Sequence, residues 1–169
     1  MKIKISRTQS KITPFLWFDN QAEAAAKFYV ALFKNSKIES ITRYGDEGME
    51  ITGRPPGSVM TVGFSLAGHE FVALNGGPVF KFTEAISLVV NCDTQAEVDR
   101  FWEKLSKGGR KGRCGWLKDR YGLSWQVVPR AAIAMVQDKD PAKAKRAFAA
   151  MLQMTKLDLK LLKQAHAGR

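Results

Sequence analysis

Apolar residues alternate with polar ones along the chain in two different periods, and the order of the periods repeats. Residues 12–18 (Ile-Thr-Pro-Phe-Leu-Trp-Phe) form a short apolar run with a proline near its start, where a strand tolerates one. Asp19-Asn20-Gln21 then reads as a helix start. From 22 to 33 the residues Ala25, Phe28, Tyr29, Leu32 and Phe33 recur at spacings of three and four, which predicts an amphipathic helix of about three turns. Three strands are expected next, over 37–44, 58–66 and 70–75. The last two are joined by the tight turn Ala67-Gly68-His69, and a Gly-, Pro- and acid-rich loop at 45–57 precedes them.

The same succession begins again after Asn75-Gly76-Gly77-Pro78. A strand is predicted over 85–91, then a cap at Asp93-Thr94-Gln95. A helix over 96–105 follows, with Val98, Phe101, Trp102 and Leu105 on one face. Gly-rich turns, a short stretch at Cys114-Gly115-Trp116-Leu117 and a strand over 123–129 close the second unit. A repeat of strand, helix and about three strands, offset by roughly 70–75 residues, decides the fold more firmly than any single propensity. Beyond it the chain reads as helical. Asp138-Lys139-Asp140-Pro141 marks one helix start, and Thr155 is the expected cap of a final helix carrying Leu157, Leu159, Leu161 and Leu162. The expected class is α+β, with 1–169 as a single domain: a first module at 12–77, a second at 83–129 and a helical extension at 131–166.

Composition narrows the class. The 169 residues are 45% hydrophobic and 25% charged, enough apolar material for a packed core and too much for disorder. No window approaches 18 consecutive apolar residues and the N-terminus lacks an apolar signal core, so a soluble, cytoplasmic protein with no membrane partner is expected. Cys92 and Cys114 are too few for a disulfide framework and read as reduced thiols. The net charge of +11 suggests nucleic acid until it is located. Residues 1–11 carry +4 and residues 138–169 carry +5, which leaves +2 for the 126 residues between them. Within that body one stretch, 104–120, holds Lys104, Lys107, Arg110, Lys111, Arg113, Lys118 and Arg120 against Asp119. This pattern suits attraction of a small anion better than a nucleic-acid surface.

Several ordered strings together carry a family resemblance. They are the segment 12–19, the pairs Phe28-Tyr29 and Leu32-Phe33, Gly57-Ser58-Val59-Met60, Ala73-Leu74-Asn75-Gly76-Gly77-Pro78, Cys114-Gly115-Trp116-Leu117-Lys118-Asp119, and Tyr121-Gly122-Leu123-Ser124-Trp125-Gln126-Val127-Val128-Pro129. The chain resembles the PhnB-like branch of the vicinal oxygen chelate superfamily, which includes glyoxalase and bleomycin-resistance proteins. The resemblance implies two βαβββ modules whose sheets curl around a shared cavity, usually in a homodimer. The branch also bears the name 3-demethylubiquinone-9 3-methyltransferase. A methyltransferase of the usual kind needs a Gly-rich turn that opens a helix. Gly76-Gly77 leads into proline and aromatics and Gly108-Gly109 leads into a strand, which argues against methyl transfer.

Metal-dependent members place His, Glu or Gln on the first and last strand of each module. Carried over residue by residue, those positions hold Thr13, Ala73, Ala85 or Ser87, and Gln126. Gln126 alone is a ligand type that the superfamily uses, and His69 and His166 read as solvated residues, so no cofactor and no tightly held divalent metal is expected. What remains is a pocket-like set: Thr13, Phe15, Trp17, Asn75, Ser87, Cys114, Trp116, Ser124 and Gln126, mostly aromatic with a few hydrogen-bonding groups. Its aromatics could also be ordinary core, and its amides satisfied structural groups. The expected function is binding of a small molecule, anionic if the 104–120 patch guides it. The alternatives are an isomerase, lyase or dioxygenase with a degenerate metal site, a methyltransferase, or a nucleic-acid-associated protein. No catalytic residue is assigned.

Overall fold

The computed structural model describes residues 10–169, so the basic residues Lys2, Lys4 and Arg7 lie outside the described part. The chain divides into two compact units, one ending at Lys81 and the other spanning Phe82–Arg169. Each contains a βαβββ succession.

In the first unit β1 (Phe15–Phe18) is followed by α1 (Ala22–Leu32), β2 (Lys37–Arg43), β3 (Val59–Leu66) and β4 (His69–Asn75). The sheet order is β1-β4-β3-β2, with β1 parallel to β4 and the other pairs antiparallel. Alternation along the strands sends Leu16, Phe18, Val62, Phe64, Phe71 and Ala73 into the core, where they meet Ala22, Ala25, Ala26, Tyr29 and Leu32 of α1. Three small alanines on that helix face let it approach the sheet closely, and Phe64 stacks on Phe71 at 5.5 Å. The segment expected as a loop at 45–57 holds a 3-10 turn at Asp46–Gly48 and one helical turn, α2 (Met49–Thr52).

The second unit runs β5 (Leu88–Cys92), α3 (Gln95–Ser106), β6 (Arg110–Lys111), β7 (Trp116–Lys118) and β8 (Ser124–Pro129), in sheet order β5-β8-β7-β6. β5 starts three residues later than expected. The helix α3 follows its local signals closely. Thr94 Oγ1 accepts the Glu97 N–H, while the Glu97 carboxylate accepts the Asp93 N–H at 2.7 Å, a reciprocal cap. Its buried face is Val98, Phe101, Trp102 and Leu105, the set expected from spacing.

Three helices complete this unit: α4 (Arg130–Val136), α5 (Pro141–Leu152) and α6 (Leu159–Ala167). Asp140 caps α5 with Pro141 in its first turn. The last helix differs from expectation. Its cap is Asp158, which accepts the Leu161 N–H, and not Thr155. Leu157 therefore precedes the helix and is buried with Val128, Ala132 and Leu162. A carboxylate one residue before the run of leucines is a better acceptor for the free N–H groups than a hydroxyl four residues before it. Among the described residues no helix is long and apolar enough to cross a membrane.

Candidate functional site

In the first unit, the strand β1 turns Leu16 and Phe18 toward α1, so Phe15 and Trp17 occupy the opposite face of the sheet. Phe15 is exposed there. Trp17 is engaged: its Nε1–H donates to the Gly77 carbonyl at 2.9 Å and its ring meets Phe80 edge-on at 4.9 Å. A Cβ on Gly76 would lie 2.2 Å from the indole, so glycine is required where the chain leaves β4 beneath Trp17. Thr13 lines a separate cleft of about 270 Å3 with Glu39, Ser40 and Glu70.

Asn75 has a structural task. Gln21 stands at the N-cap of α1 without a side-chain bond, and Asn75 Oδ1 instead accepts the Ala22 N–H at 2.8 Å from 53 residues away. The Asn75 amide nitrogen donates to the Val59 carbonyl at 3.0 Å. Its amide thus caps the helix and ties β3 to β4, while the residue also borders a cleft of about 230 Å3 with Glu23 and Arg54. Asn75→Ala is expected to cost the first unit about 2–3 kcal/mol in a urea titration, because the buried Ala22 N–H at the helix start and the half-buried Val59 carbonyl both lose their partner. A loss below about 0.5 kcal/mol, the scale of an ordinary surface change, would show that the long-range cap is dispensable.

In the second unit four of the expected residues share one face. Trp116 pairs with Gln126, and Lys118 with Ser124, directly across β7 and β8. Directly paired residues leave a sheet on the same side. Gln126 Nε2–H donates to Ser87 Oγ at 2.9 Å, which brings in the residue just before β5. Ser124 is fully buried, and its hydroxyl is without a hydrogen-bond partner. Val128, next on that face, is covered by α4 and by Leu157 and Leu162. Ser87, Trp116, Ser124 and Gln126 therefore form a patch of mixed aromatic and hydrogen-bonding character, bounded at one end by the C-terminal helices.

Cys114 stands apart from that patch. Its backbone is left-handed (φ 54°), its N–H donates to the Met154 carbonyl at 2.8 Å and its thiol approaches the Met151 carbonyl at 3.5 Å. The loop thus turns it toward the C-terminal helices. The other thiol, Cys92, is buried against α3, and burial pushes it up to about 11, so it stays protonated at neutral pH.

The cationic stretch is partly neutralised by two acids, Glu103 just before it in sequence and the more distant Glu84. Glu84 accepts from both Arg110 and Lys118 at 3.0 Å, and Glu103 pairs with Lys111 at 3.2 Å. The hydrogen bond from Lys118 holds the Glu84 carboxyl below the usual carboxylate range. Glu84 lies in a segment without periodicity, so only a search for an acid able to meet the 110–118 cations could have found it.

The positions that hold metal ligands in metal-dependent members of the superfamily carry few donor atoms here. Ala73 is buried toward α1 and offers no donor atom. Beside β1 the corresponding face of β4 carries Val72 and Leu74, which pair with Phe15 and Trp17 as Gln126 pairs with Val89, so the first unit offers only apolar side chains where the second has Gln126. A neutral amide and the Ser87 hydroxyl are the donors present, a poor set for a divalent ion that favours imidazole or carboxylate. The Gly-rich stretches open no helix: Gly76-Gly77 is followed by a turn, and Gly108-Gly109 by β6.

Comparison with known proteins agrees with this architecture. Residues 10–128 match the family model described as 3-demethylubiquinone-9 3-methyltransferase. The solved PhnB protein of Bacillus cereus is 38% identical, with a TM-score of 0.63 over 71% of this chain and 99% of that one. Protein PA1353 of Pseudomonas aeruginosa is 19% identical, with a TM-score of 0.56 over 72% and 98%, and shows the fold alone. No curated protein matches the sequence. With ordered sequence strings, two βαβββ units and a family match over most of its length, the chain belongs to the 3-demethylubiquinone-9 3-methyltransferase family, in which the PhnB protein is a relative.

Proposed function

We propose that the chain is a glyoxalase-like binding protein that holds a small organic molecule against the Gln126 face of its second sheet, without a tightly bound divalent metal or other cofactor. The observation that carries this is the Gln126 amide. It is oriented by Ser87 through its nitrogen and lies beside Trp116 in register, which leaves an aromatic surface next to an aimed carbonyl oxygen. Such a pair suits a planar ligand with a hydrogen-bond donor. The donor set around Gln126 supports the metal-free part.

Two measurements test it. Titration with neutral aromatic amides, benzamide first, is expected to shift the Gln126 side-chain and Trp116 indole resonances. Gln126→Ala should weaken that binding about tenfold, the loss of one to two hydrogen bonds. Dialysis against Zn2+, Mn2+, Ni2+ and Fe2+ should leave the protein with substoichiometric metal. One equivalent retained by the wild type and lost in Gln126→Ala would overturn the metal-free reading. It would favour instead an isomerase, lyase or dioxygenase built on a reduced ligand set, for which Gln126 is the supporting residue. The homodimer and the cytoplasmic location expected from sequence belong to the same proposal, and sedimentation at twice the chain mass checks the first.

A further inference from the structure

Beside Gln126, the register that pairs Lys118 with Ser124 sends both side chains out of the same face. With Glu84, Arg110 and Trp116 they border a cavity of about 90 Å3, room for the end group of a ligand and not for all of it. Two independent features mark this cavity. Ser124 is 0% exposed and its hydroxyl lacks any hydrogen-bond partner, an arrangement that folded proteins seldom leave unanswered. In addition, one carboxylate oxygen, Glu84 Oε1, sits 3.0 Å from both Lys118 Nζ and Arg110 Nη2.

The partners of that ion pair are unequally fixed. Lys118 is rooted in β7 with its side chain 24% exposed, whereas Glu84 is 54% exposed and lies in the turn that precedes β5, outside any strand. An exposed carboxylate gains little from such a pair, so exchanging it for another carboxylate is inexpensive. We propose that this cavity is a carboxylate subsite for the molecule bound on the Gln126 face, with Glu84 as the chain's own occupant, displaced when the ligand's carboxylate accepts from Lys118, Arg110 and the Ser124 hydroxyl. The subsite rests on the proposed reading of that face as a ligand surface. A carboxylate is favoured because the cations already converge on a carboxylate oxygen, and Ser124 adds the donor that Glu84 leaves unused. Glu84 remains ionised at neutral pH because Lys118 holds its carboxyl below the ordinary range, so it is a charged competitor.

The test uses benzoate and its neutral isostere benzamide, with inorganic phosphate as a third probe, titrated into the full chain and followed by NMR. Glu84→Gln is expected to raise benzoate affinity about tenfold, the scale of one charge-assisted hydrogen bond, and to leave benzamide unchanged. Lys118→Met should abolish the preference for benzoate over benzamide, and Ser124→Ala should reduce it several-fold. Glu103→Gln frees a different cation, Lys111, outside the cavity, and should change nothing. The subsite is overturned if Glu84→Gln fails to strengthen benzoate, if phosphate gains as much as benzoate, if Ser124→Ala has no effect, or if Glu103→Gln gives the same gain. Benzamide binding without any benzoate gain removes the subsite alone. Absence of both ligands from the Gln126 face removes the underlying reading as well.

Discussion

Asp119→Ala is expected to destabilise the second unit by about 3–5 kcal/mol and to lower its melting temperature by about 20 °C. Asp119 is only 3% exposed, yet its carboxylate is fully used. One oxygen accepts the Tyr121 N–H at 2.8 Å and the Leu123 N–H at 3.1 Å, and the other accepts the Trp125 indole N–H at 2.8 Å. Its backbone closes the same turn, with its N–H on Leu123 and its carbonyl accepting from Gly122. Alanine would strand three donors at once, two of them on the backbone, and buried donors without acceptors are among the few large single-residue costs. Asp119→Asn keeps one acceptor but turns an N–H2 toward either the indole or the turn, so about half the loss is expected. Urea unfolding followed by tryptophan fluorescence measures both. A loss under about 1 kcal/mol in Asp119→Ala would show that the turn holds without the carboxylate.

The same carboxylate bears on the ligand face. Trp125 lies between Ser124 and Gln126 on β8, so anchoring its indole on the α3 side fixes the phase of the strand. A slip of one residue would send Gln126 into the core and Trp125 onto the ligand face. Asp119 variants should therefore lose benzamide binding more steeply than their stability loss alone explains, although the residue does not line the patch.

Structure is legible in the sequence where the determining partner is close by. The faces of α1 and α3 follow from spacings of three and four, and the Thr94–Glu97 cap lies within one turn. It is not legible where the partner is distant or the element is very short. The cap of α1 is Asn75, 53 residues on, so no local pattern could name it. β6 has two residues and no periodicity. Leu157, Leu161 and Leu162 have helical spacing although α6 begins only after its cap at Asp158, so the leucine pattern alone extends the helix too far upstream. In the site, strict alternation on β8 groups Ser124 with Gln126, and the structure adds Ser87 across 39 residues. The same alternation from Ala73 places Asn75 toward α1, where its side chain does structural work. Cys114 lies two residues before Trp116, but a left-handed residue followed by Gly115 breaks the strand phase between them. Glu84 was invisible because charge pairing across a turn leaves no trace in spacing.

Leu157→Ala is expected to cost about 3 kcal/mol and, in hydrogen exchange, to deprotect β7 and β8 together with the C-terminal helices. Leu157 is 0% exposed and lies beyond the end of the family match at residue 128. It is nevertheless built into the family part of the unit. A Cβ on Gly115 would come within 3.3 Å of its side chain, and its cluster includes Val128 of β8. The segment around it is tied down on both sides. The N–H groups of Cys114 and Gly115 donate to the carbonyls of Met154 and Thr155, each at 2.8 Å, and Gln95 at the start of α3 bonds to both the Leu157 carbonyl and the Leu159 N–H. Cutting the leucine back leaves a cavity where β8, the 114–115 loop and α6 meet, so the loss should spread through all three. Phe148→Ala, on α5 at a half-exposed position, should stay within about 0.5 kcal/mol and serves as the comparison. Deprotection confined to α5 and α6, with β8 unchanged, would instead make the extension a separate cooperative unit that the ligand face does not need. If β8 opens with the helices, the residues after 128 hold one edge of that face in place, and shortening the chain there should weaken benzamide binding without touching Gln126.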